Sequence, residues 1–340
     1  MKRDALPMAD RFEAIRNRLL WTLPVLYALS AIWVAFGPTL KAGAATAAVD
    51  MIARIGTIVA PTLFAALHGT RRLGIRTMII FFAIAFVVSW TYESLSITTG
   101  FPFGHYYYTG VMGLKVGLVP IMIMFSYFSV CYLSWHLAHI LLGKFDANPD
   151  ALLRFPVPLV ASFIMVMWDM SMDPARSTLN HAWIWRDGGS YFGVPFSNFM
   201  GWFLCVYTIF QLLALYLVRT GAPSGTPNSY GIKGHWHQPT AMYGAVFIEF
   251  VAFALWSPGG TVTDAAGQVW GVRDMHETLG LVAIFTMLFV TCLAFFKVQA
   301  NENLLAARSS VIRHVAFWQA VRRAKSQPAK GSSNEHEANG

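Results

Sequence analysis

Charge is scarce in this chain. Asp, Glu, Lys and Arg together make up only 12% of its 340 residues, and just 17 residues are acidic. Soluble domains carry about 25% charged residues. The hydrophobic fraction is 56%, so the composition excludes an ordinary soluble domain and indicates an integral membrane protein.

Cysteine is scarce as well. The three cysteines are Cys131, Cys205 and Cys292, and none forms a CxxC pair. That number and spacing exclude a disulfide framework and a cysteine-based metal site. Each cysteine falls inside an apolar segment and is expected to be a small buried hydrophobe. GxGxxG and P-loop motifs are also lacking, so a nucleotide site has no support.

The apolar residues are grouped in eight blocks. The blocks cover residues 19–36, 51–68, 77–95, 117–142, 157–173, 195–218, 240–256 and 278–296. Each is close to the ~20 residues that a helix needs to cross a bilayer. The sequence therefore predicts an all-α, polytopic membrane bundle of about eight transmembrane helices, with seven and nine as alternatives.

The basic residues are distributed unevenly between the loops, and the net charge is +8. They precede the first block, occupy the second, fourth and sixth loops, and follow the last block. The other loops hold only Lys41, Lys115, Arg176, Arg186 and Arg273. By the positive-inside rule both termini are expected to be cytoplasmic, in a bacterial cytoplasmic membrane. The charge thus reflects topology, and we expect no nucleic-acid partner.

The apolar blocks and the distribution of basic residues predict three segments. Residues 1–18 form a basic cytoplasmic N-terminal segment, and residues 19–297 form the transmembrane catalytic domain. Residues 298–340 form a basic, largely disordered cytoplasmic tail, with a short surface helix around 311–321.

Two aspartates, Asp169 and Asp173, end the fifth block. Their spacing places them on one helix face, and Pro174 predicts that the helix ends at Asp173. Carboxylates at membrane depth mark functional sites by default. Burial, mutual repulsion and the helix dipole all oppose ionisation, so the pair is expected to hold a proton and act as a catalytic acid. The alternative is a structural role, with hydrogen bonds from Trp183, Trp185 or loop amides.

Other polar residues offer candidates near the same face. Glu93 ends the third block and is either a second catalytic acid or a partner of Arg176 or Arg186. Glu249 lies in the middle of the seventh block and must face the bundle interior or a polar cavity. His181 lies in the loop after the aspartates, where a histidine can relay protons or orient water.

Aromatic side chains crowd the same loops. Tyr and Trp are common at membrane interfaces, but desolvated aromatic faces also stabilise a cation by about 2 kcal/mol. Asn198 either caps the sixth helix or orients a water. The predicted substrate-binding residues are Phe103, Tyr106, Tyr108, Trp168, Trp183, Trp185, Tyr191, Asn198 and Trp202.

Five further histidines lie towards the opposite ends of the blocks. They are His68, His136, His139, His235 and His237. A membrane di-iron oxygenase uses a cluster of histidines, but such enzymes generally require more histidine boxes. We therefore expect no metal and no other cofactor.

Four motifs together resemble the CruF-type carotenoid biosynthesis proteins. They are GFPFGHYYY (100–108), GLVP (117–120), WDMSMDP (168–174) and WIWRDGGSYFGVPFSNFMGW (183–202). The similarity extends over about residues 50–300. It implies a membrane carotenoid 1,2-hydratase, a carbon–oxygen lyase that adds water across the terminal C1–C2 double bond of an acyclic end group. The implied partners are an acyclic or monocyclic carotenoid, membrane lipid and other enzymes of carotenoid biosynthesis.

The residues suit that chemistry. The Asp169/Asp173 pair would protonate C2, aromatic faces would stabilise the tertiary cation at C1, and Glu93 or His181 would orient the attacking water. Four other functions stay open. They are a prenyltransferase that uses DxxxD and Mg²⁺, an O₂-dependent carotenoid hydroxylase, a non-enzymatic carotenoid-binding membrane protein and a proton-coupled transporter.

Overall fold

The computed structural model of the protein describes residues 8–40, 44–145, 150–221 and 234–303. The predicted surface helix around 311–321 and most of the predicted tail lie outside these residues. The chain divides into two compact units, Met1–Phe295 and Phe296–Gly340. The site described below lies wholly in the first unit.

Long helices dominate the described residues. They are α1 (Met8–Phe36), α2 (Ala44–Leu73), α3 (Ile75–Thr99), α4 (Ile121–Leu141), α6 (Pro156–Pro174), α7 (Phe196–Thr220), α8 (His237–Leu255) and α9 (Val272–Ala283), with the single turn α5 (Ala151–Arg154) before α6. The chain continues from α9 through a π-helical turn, Ile284–Leu288. Seven helices of the described part are long and apolar enough to cross a membrane. The predicted all-α membrane bundle is confirmed.

One predicted span, α6, is not among these seven. It has 19 residues, but its two aspartates and its prolines lower its apolarity. It nevertheless packs inside the bundle against α4 and α7, antiparallel to both as an eighth span would be. The side of the membrane that each terminus faces stays a prediction from the charge pattern.

The end of α6 differs from the prediction. Instead of stopping at Asp173, the helix reaches Pro174 and continues as a π-helical turn, Ala175–Leu179. A proline in the last α turn removes one donor and shifts the hydrogen-bond ladder, and π turns accommodate such a shift. The extra turn carries Arg176 to the wall of the cavity described below.

Short strands join the loops at one end of the bundle. The strand β1 (Tyr106–Tyr108), between α3 and α4, pairs antiparallel with β4 (Trp183–Trp185), between α6 and α7. Two further hairpins are formed by β2 (Lys115–Val116) with β3 (Val119–Pro120) and by β5 (Thr261–Thr263) with β6 (Val269–Gly271). Of these pairings, β1 with β4 brings two of the aromatic loops together.

Burial distinguishes the central helix from the peripheral ones. In α4, 78% of the apolar window is buried, against 22% in α2 and 28% in α3, so α4 forms the core and the other two present broad faces to lipid. Cys131 and Cys205 are buried as predicted, whereas Cys292 is exposed. The helix after the π turn presents Cys292 among other exposed apolar side chains such as Phe289 and Phe296.

Candidate active site

A cavity of about 370 Å³ lies at the end of the bundle where β1 meets β4. Helices α1 to α4 and α6 to α8 all contribute to its wall. Eight of the nine predicted substrate-binding residues line it, namely Phe103, Tyr106, Tyr108, Trp168, Trp183, Trp185, Asn198 and Trp202. The exception is Tyr191.

Glu93 lies in this wall and is surrounded by tyrosines. Its Oε2 accepts hydrogen bonds from the hydroxyls of Tyr106 and Tyr108, the latter at 2.8 Å, and its Oε1 accepts one from Tyr127 at 2.9 Å. Burial and the charge of Glu93 raise the pKa of Tyr106 and of Tyr108 well above the usual value for tyrosine. Both hydroxyls therefore keep their protons and stay donors.

The predicted ion pair of Glu93 with Arg176 or Arg186 is wrong. Arg176 forms its salt bridge with Glu249, while the guanidinium of Arg186 lies 5.4 Å from the centre of the Tyr107 ring. The side chains on β1 explain this outcome, because its inward tyrosines fill the space around Glu93.

Glu249 forms a second polar cluster in the same cavity. Its Oε2 accepts a hydrogen bond from the Tyr27 hydroxyl at 2.5 Å, and its Oε1 accepts one from Arg176. The residue is 4% exposed and lines the cavity, as expected for an acid in the middle of a span. The ion pair balances the charge of Arg176.

Asp173 is held by two indoles and an amide. Its Oδ1 accepts hydrogen bonds from Nε1 of Trp183 at 3.2 Å and of Trp185 at 3.1 Å, and its Oδ2 accepts one from Asn198 at 2.7 Å. Residues two apart on a strand share one face, so the two tryptophans of β4 reach the same oxygen. The indole bonds that the structural alternative expected for the aspartates are present at Asp173.

Asp169 lies behind this wall. It is fully buried, does not line the cavity, and accepts a hydrogen bond from Asn198 at 3.2 Å. Asn198 thus bridges the two carboxylates, and Pro195 rather than Asn198 caps α7. Within the described part of the chain, Oδ1 of Asp169 and Oδ1 of Asn198 are buried without a hydrogen-bond partner.

The structure does not bring His181 or Tyr191 into the cavity wall. His181 is exposed and has a left-handed backbone, with φ of 50°, which turns its side chain to the surface while its neighbours Asn180 and Ala182 face inward. Tyr191 is half-buried, and burial together with the charge of Asp169 raises its pKa to about 12. It is close enough to Asp169 to sense its charge but does not line the cavity.

An aromatic wall connects the two acids Glu93 and Asp173. The rings of Tyr127 and Trp202 are stacked with centroids 4.4 Å apart, and Trp168 and Phe103 lie 6.1 and 6.3 Å from Trp202. Gly201 permits this packing, since a Cβ there would lie 2.7 Å from the Phe103 ring. Tyr127 escaped the sequence prediction because it lies in an apolar helix without a motif.

Four of the five further histidines gather at the other end of α2 and α4, namely His68, His136, His139 and His235. The rings of His68 and His235 are stacked at 4.6 Å, and those of His68 and His136 are 5.0 Å apart. His139 bonds instead to the carbonyl of Trp135 at 2.9 Å. In the four described ranges, no group of three or more His, Cys, Asp or Glu side chains is arranged to hold a metal ion.

A family model described as carotenoid biosynthesis protein matches residues 53–255. The matched stretch contains Glu93, Asp169, Asp173 and Glu249. No curated protein and no solved structure matches the chain significantly. Because the family model covers more than half of its length, the chain belongs to the carotenoid biosynthesis protein family.

Proposed function

We propose that this protein is a carotenoid 1,2-hydratase, which adds water across the terminal C1–C2 double bond of an acyclic carotenoid end group. One observation carries the proposal. Two carboxyl groups, Asp173 and Glu93, line one aromatic-walled cavity in a membrane protein of carotenoid biosynthesis. Acid-catalysed hydration requires such a pair, with one group giving a proton and the other taking one.

In the proposed reaction, Asp173 donates a proton to C2 as the π electrons of the double bond form the new C–H bond. The tertiary cation left at C1 takes the oxygen of a water molecule, and the resulting oxonium loses a proton to Glu93. Return of that proton to Asp173 restores both groups. The net reaction adds one water to the end group and needs no electron donor.

The contacts support different roles for the acids. Asp173 lines the cavity and Asp169 does not, so Asp173 is the donor. Asp169 shares Asn198 with it and opposes its ionisation as a second buried carboxylate. Glu93 and Asp173 each accept three hydrogen bonds, so the neighbouring Asp169 is what separates their roles. In this proposal Glu93 is the base, because it shares none of its three donors with a second carboxyl group.

The aromatic wall would lower the barrier to the cation. Tyr127, Trp168 and Trp202 line the cavity, and a desolvated aromatic face attracts a cation by about 2 kcal/mol or more. The Arg176 charge is balanced by Glu249. A transient positive charge is therefore tolerated better in this cavity than a diphosphate anion.

The test is expression in a lycopene-producing host with mass analysis of the pigments. The wild-type protein should add one or two waters. Asp173→Asn and Glu93→Gln keep the side-chain shape and should each lower conversion by about 10²–10⁴-fold, while membrane-inserted protein stays at wild-type levels. Wild-type conversion by both variants would exclude these roles.

A prenyltransferase is the second candidate, because Arg54 and Arg176 also line the cavity. Both are paired with acids, Arg54 with Asp50 at 2.7 Å and Arg176 with Glu249. Dependence on Mg²⁺ and a prenyl diphosphate would favour this candidate. Product oxygen that came from ¹⁸O₂ rather than from H₂¹⁸O would instead establish a hydroxylase, and bound pigment without added mass would establish a binding protein.

A further inference from the structure

The acids that line the cavity are buried, whereas some of the other lining residues are exposed. Asp173 and Glu93 are 1% and 3% exposed, whereas Val111, which lines the same cavity, is 71% exposed. The side chain of Arg54, another lining residue, is 51% exposed. The cavity therefore has a mouth, and these two residues border it.

One edge of the mouth is a face of α2. Arg54, Thr57 and Ile58 all line the cavity, and their spacing of three and four residues places them on one side of the helix. Across from them, Ile123 in the first turn of α4 also lines the cavity and is only half-buried.

Contact between α2 and α4 occurs further along α2. Near its end, His68 bonds to the Tyr132 hydroxyl at 2.5 Å, and a Cβ on Gly69 would lie 3.1 Å from the Tyr132 ring. The mouth is thus the gap between the first half of α2 and the start of α4.

Apart from the Arg54–Asp50 ion pair, the surface around the mouth is apolar. On α2, Met51, Ile52 and Ile55 are 60%, 65% and 52% exposed, and in the loop before α4, Leu114 is 74% exposed. Exposed apolar surface of this extent on a spanning helix faces lipid tails. The mouth therefore opens sideways into the bilayer.

The cavity volume indicates what passes through the mouth. About 370 Å³ is near the lower limit of the ~300–1,000 Å³ of pockets that enclose small ligands. An end group fits in that space, but a long polyene does not. We propose that the gap between α2 and α4 is a lateral mouth through which the hydrocarbon chain of the substrate extends into the lipid. The identity of that chain as a carotenoid rests on the proposed function.

Substitutions on the two edges test this proposal in protein reconstituted into liposomes. Ile58→Trp and Val111→Trp fill the mouth from opposite sides. Their controls, Ile55→Trp and Leu114→Trp, add the same ring to exposed positions that do not line the cavity. Two substrates are compared, lycopene and 2-methyl-2-heptene, which carries a similar end group without the polyene. Retention of lycopene by the purified protein is measured by visible absorbance.

Filling the mouth should lower lycopene conversion and retention by roughly tenfold or more. The controls should match the wild type with both substrates, and in the mouth variants conversion of 2-methyl-2-heptene should fall less than conversion of lycopene. Wild-type lycopene conversion and retention in both mouth variants would overturn the proposal. If the wild type converts neither substrate but lycopene retention still falls only in the mouth variants, the hydratase function fails and the lateral mouth stands.

Discussion

Tyr127→Phe should destabilise the protein more than Tyr108→Phe, although both remove one hydroxyl from Glu93. Oε2 of Glu93 has two donors, Tyr106 and Tyr108, whereas Tyr127 is the single donor to Oε1 among the described residues. Losing Tyr108 leaves Oε2 with a partner. Losing Tyr127 leaves a buried carboxylate oxygen without any.

The magnitudes follow from that asymmetry. An ordinary net hydrogen bond contributes about 0.5–1.5 kcal/mol, and a bond to a charged group about 1.5–3 kcal/mol. We expect Tyr108→Phe to lower the free energy of unfolding by about 1 kcal/mol and Tyr127→Phe by about 2–3 kcal/mol. Phe at position 127 keeps the stacked ring, whose centroid lies 4.4 Å from that of Trp202, so lost packing does not contribute.

Thermal unfolding of the detergent-purified proteins measures the difference. Tyr107→Phe is the matched control, since Tyr107 lies on the same strand but points outward and is 43% exposed. It should change stability by less than about 0.5 kcal/mol. An equal or larger loss of stability in Tyr108→Phe than in Tyr127→Phe would refute the asymmetric donor arrangement.

Three further predictions concern neighbouring contacts. Gly201→Ala should cost about 1–3 kcal/mol in thermal unfolding, because its Cβ would lie 2.9 Å from the Pro102 backbone; an unchanged melting temperature would contradict this packing. Arg176→Gln should cost about 1–3 kcal/mol, discounted because the Arg176 side chain is 29% exposed, and adding Glu249→Gln should restore part of the loss. Trp183→Phe and Trp185→Phe each leave Asp173 Oδ1 one donor, so the double variant should lose more conversion than the product of the single effects.

The helices were predictable because apolar blocks of about 20 residues can adopt few other conformations in a membrane. The face of the bundle that holds the site was predictable for a related reason. Along the chain, loops that carry acids and aromatic residues alternate with basic loops. Because successive spans cross the membrane in opposite directions, every second loop lies on the same side. This reasoning located Glu93, Asp173 and the aromatic wall.

The partners of the acids were not predictable. Tyr27 and Glu249 are 222 positions apart in the sequence, and no local pattern links them. His181 is kept out of the cavity wall by a left-handed backbone conformation. Residue propensities do not reveal such a conformation at a residue other than glycine. Asp169 was predicted to share the site with Asp173, but it does not line the cavity. A spacing of four residues puts two side chains on one helix face, but it does not say which of them reaches the cavity.

The pairing of β1 with β4 is the step that turns these residues into one site. Each strand directs two side chains inward. The tyrosines of β1 donate to Glu93 and the tryptophans of β4 donate to Asp173.

The register places Tyr106 opposite Trp185 and Tyr108 opposite Trp183. A shift of either strand by one residue would turn both of its inward side chains to the opposite face. The proposed donor and base therefore depend on a single two-stranded ladder, and the proposed chemistry depends on its register as much as on the acids themselves.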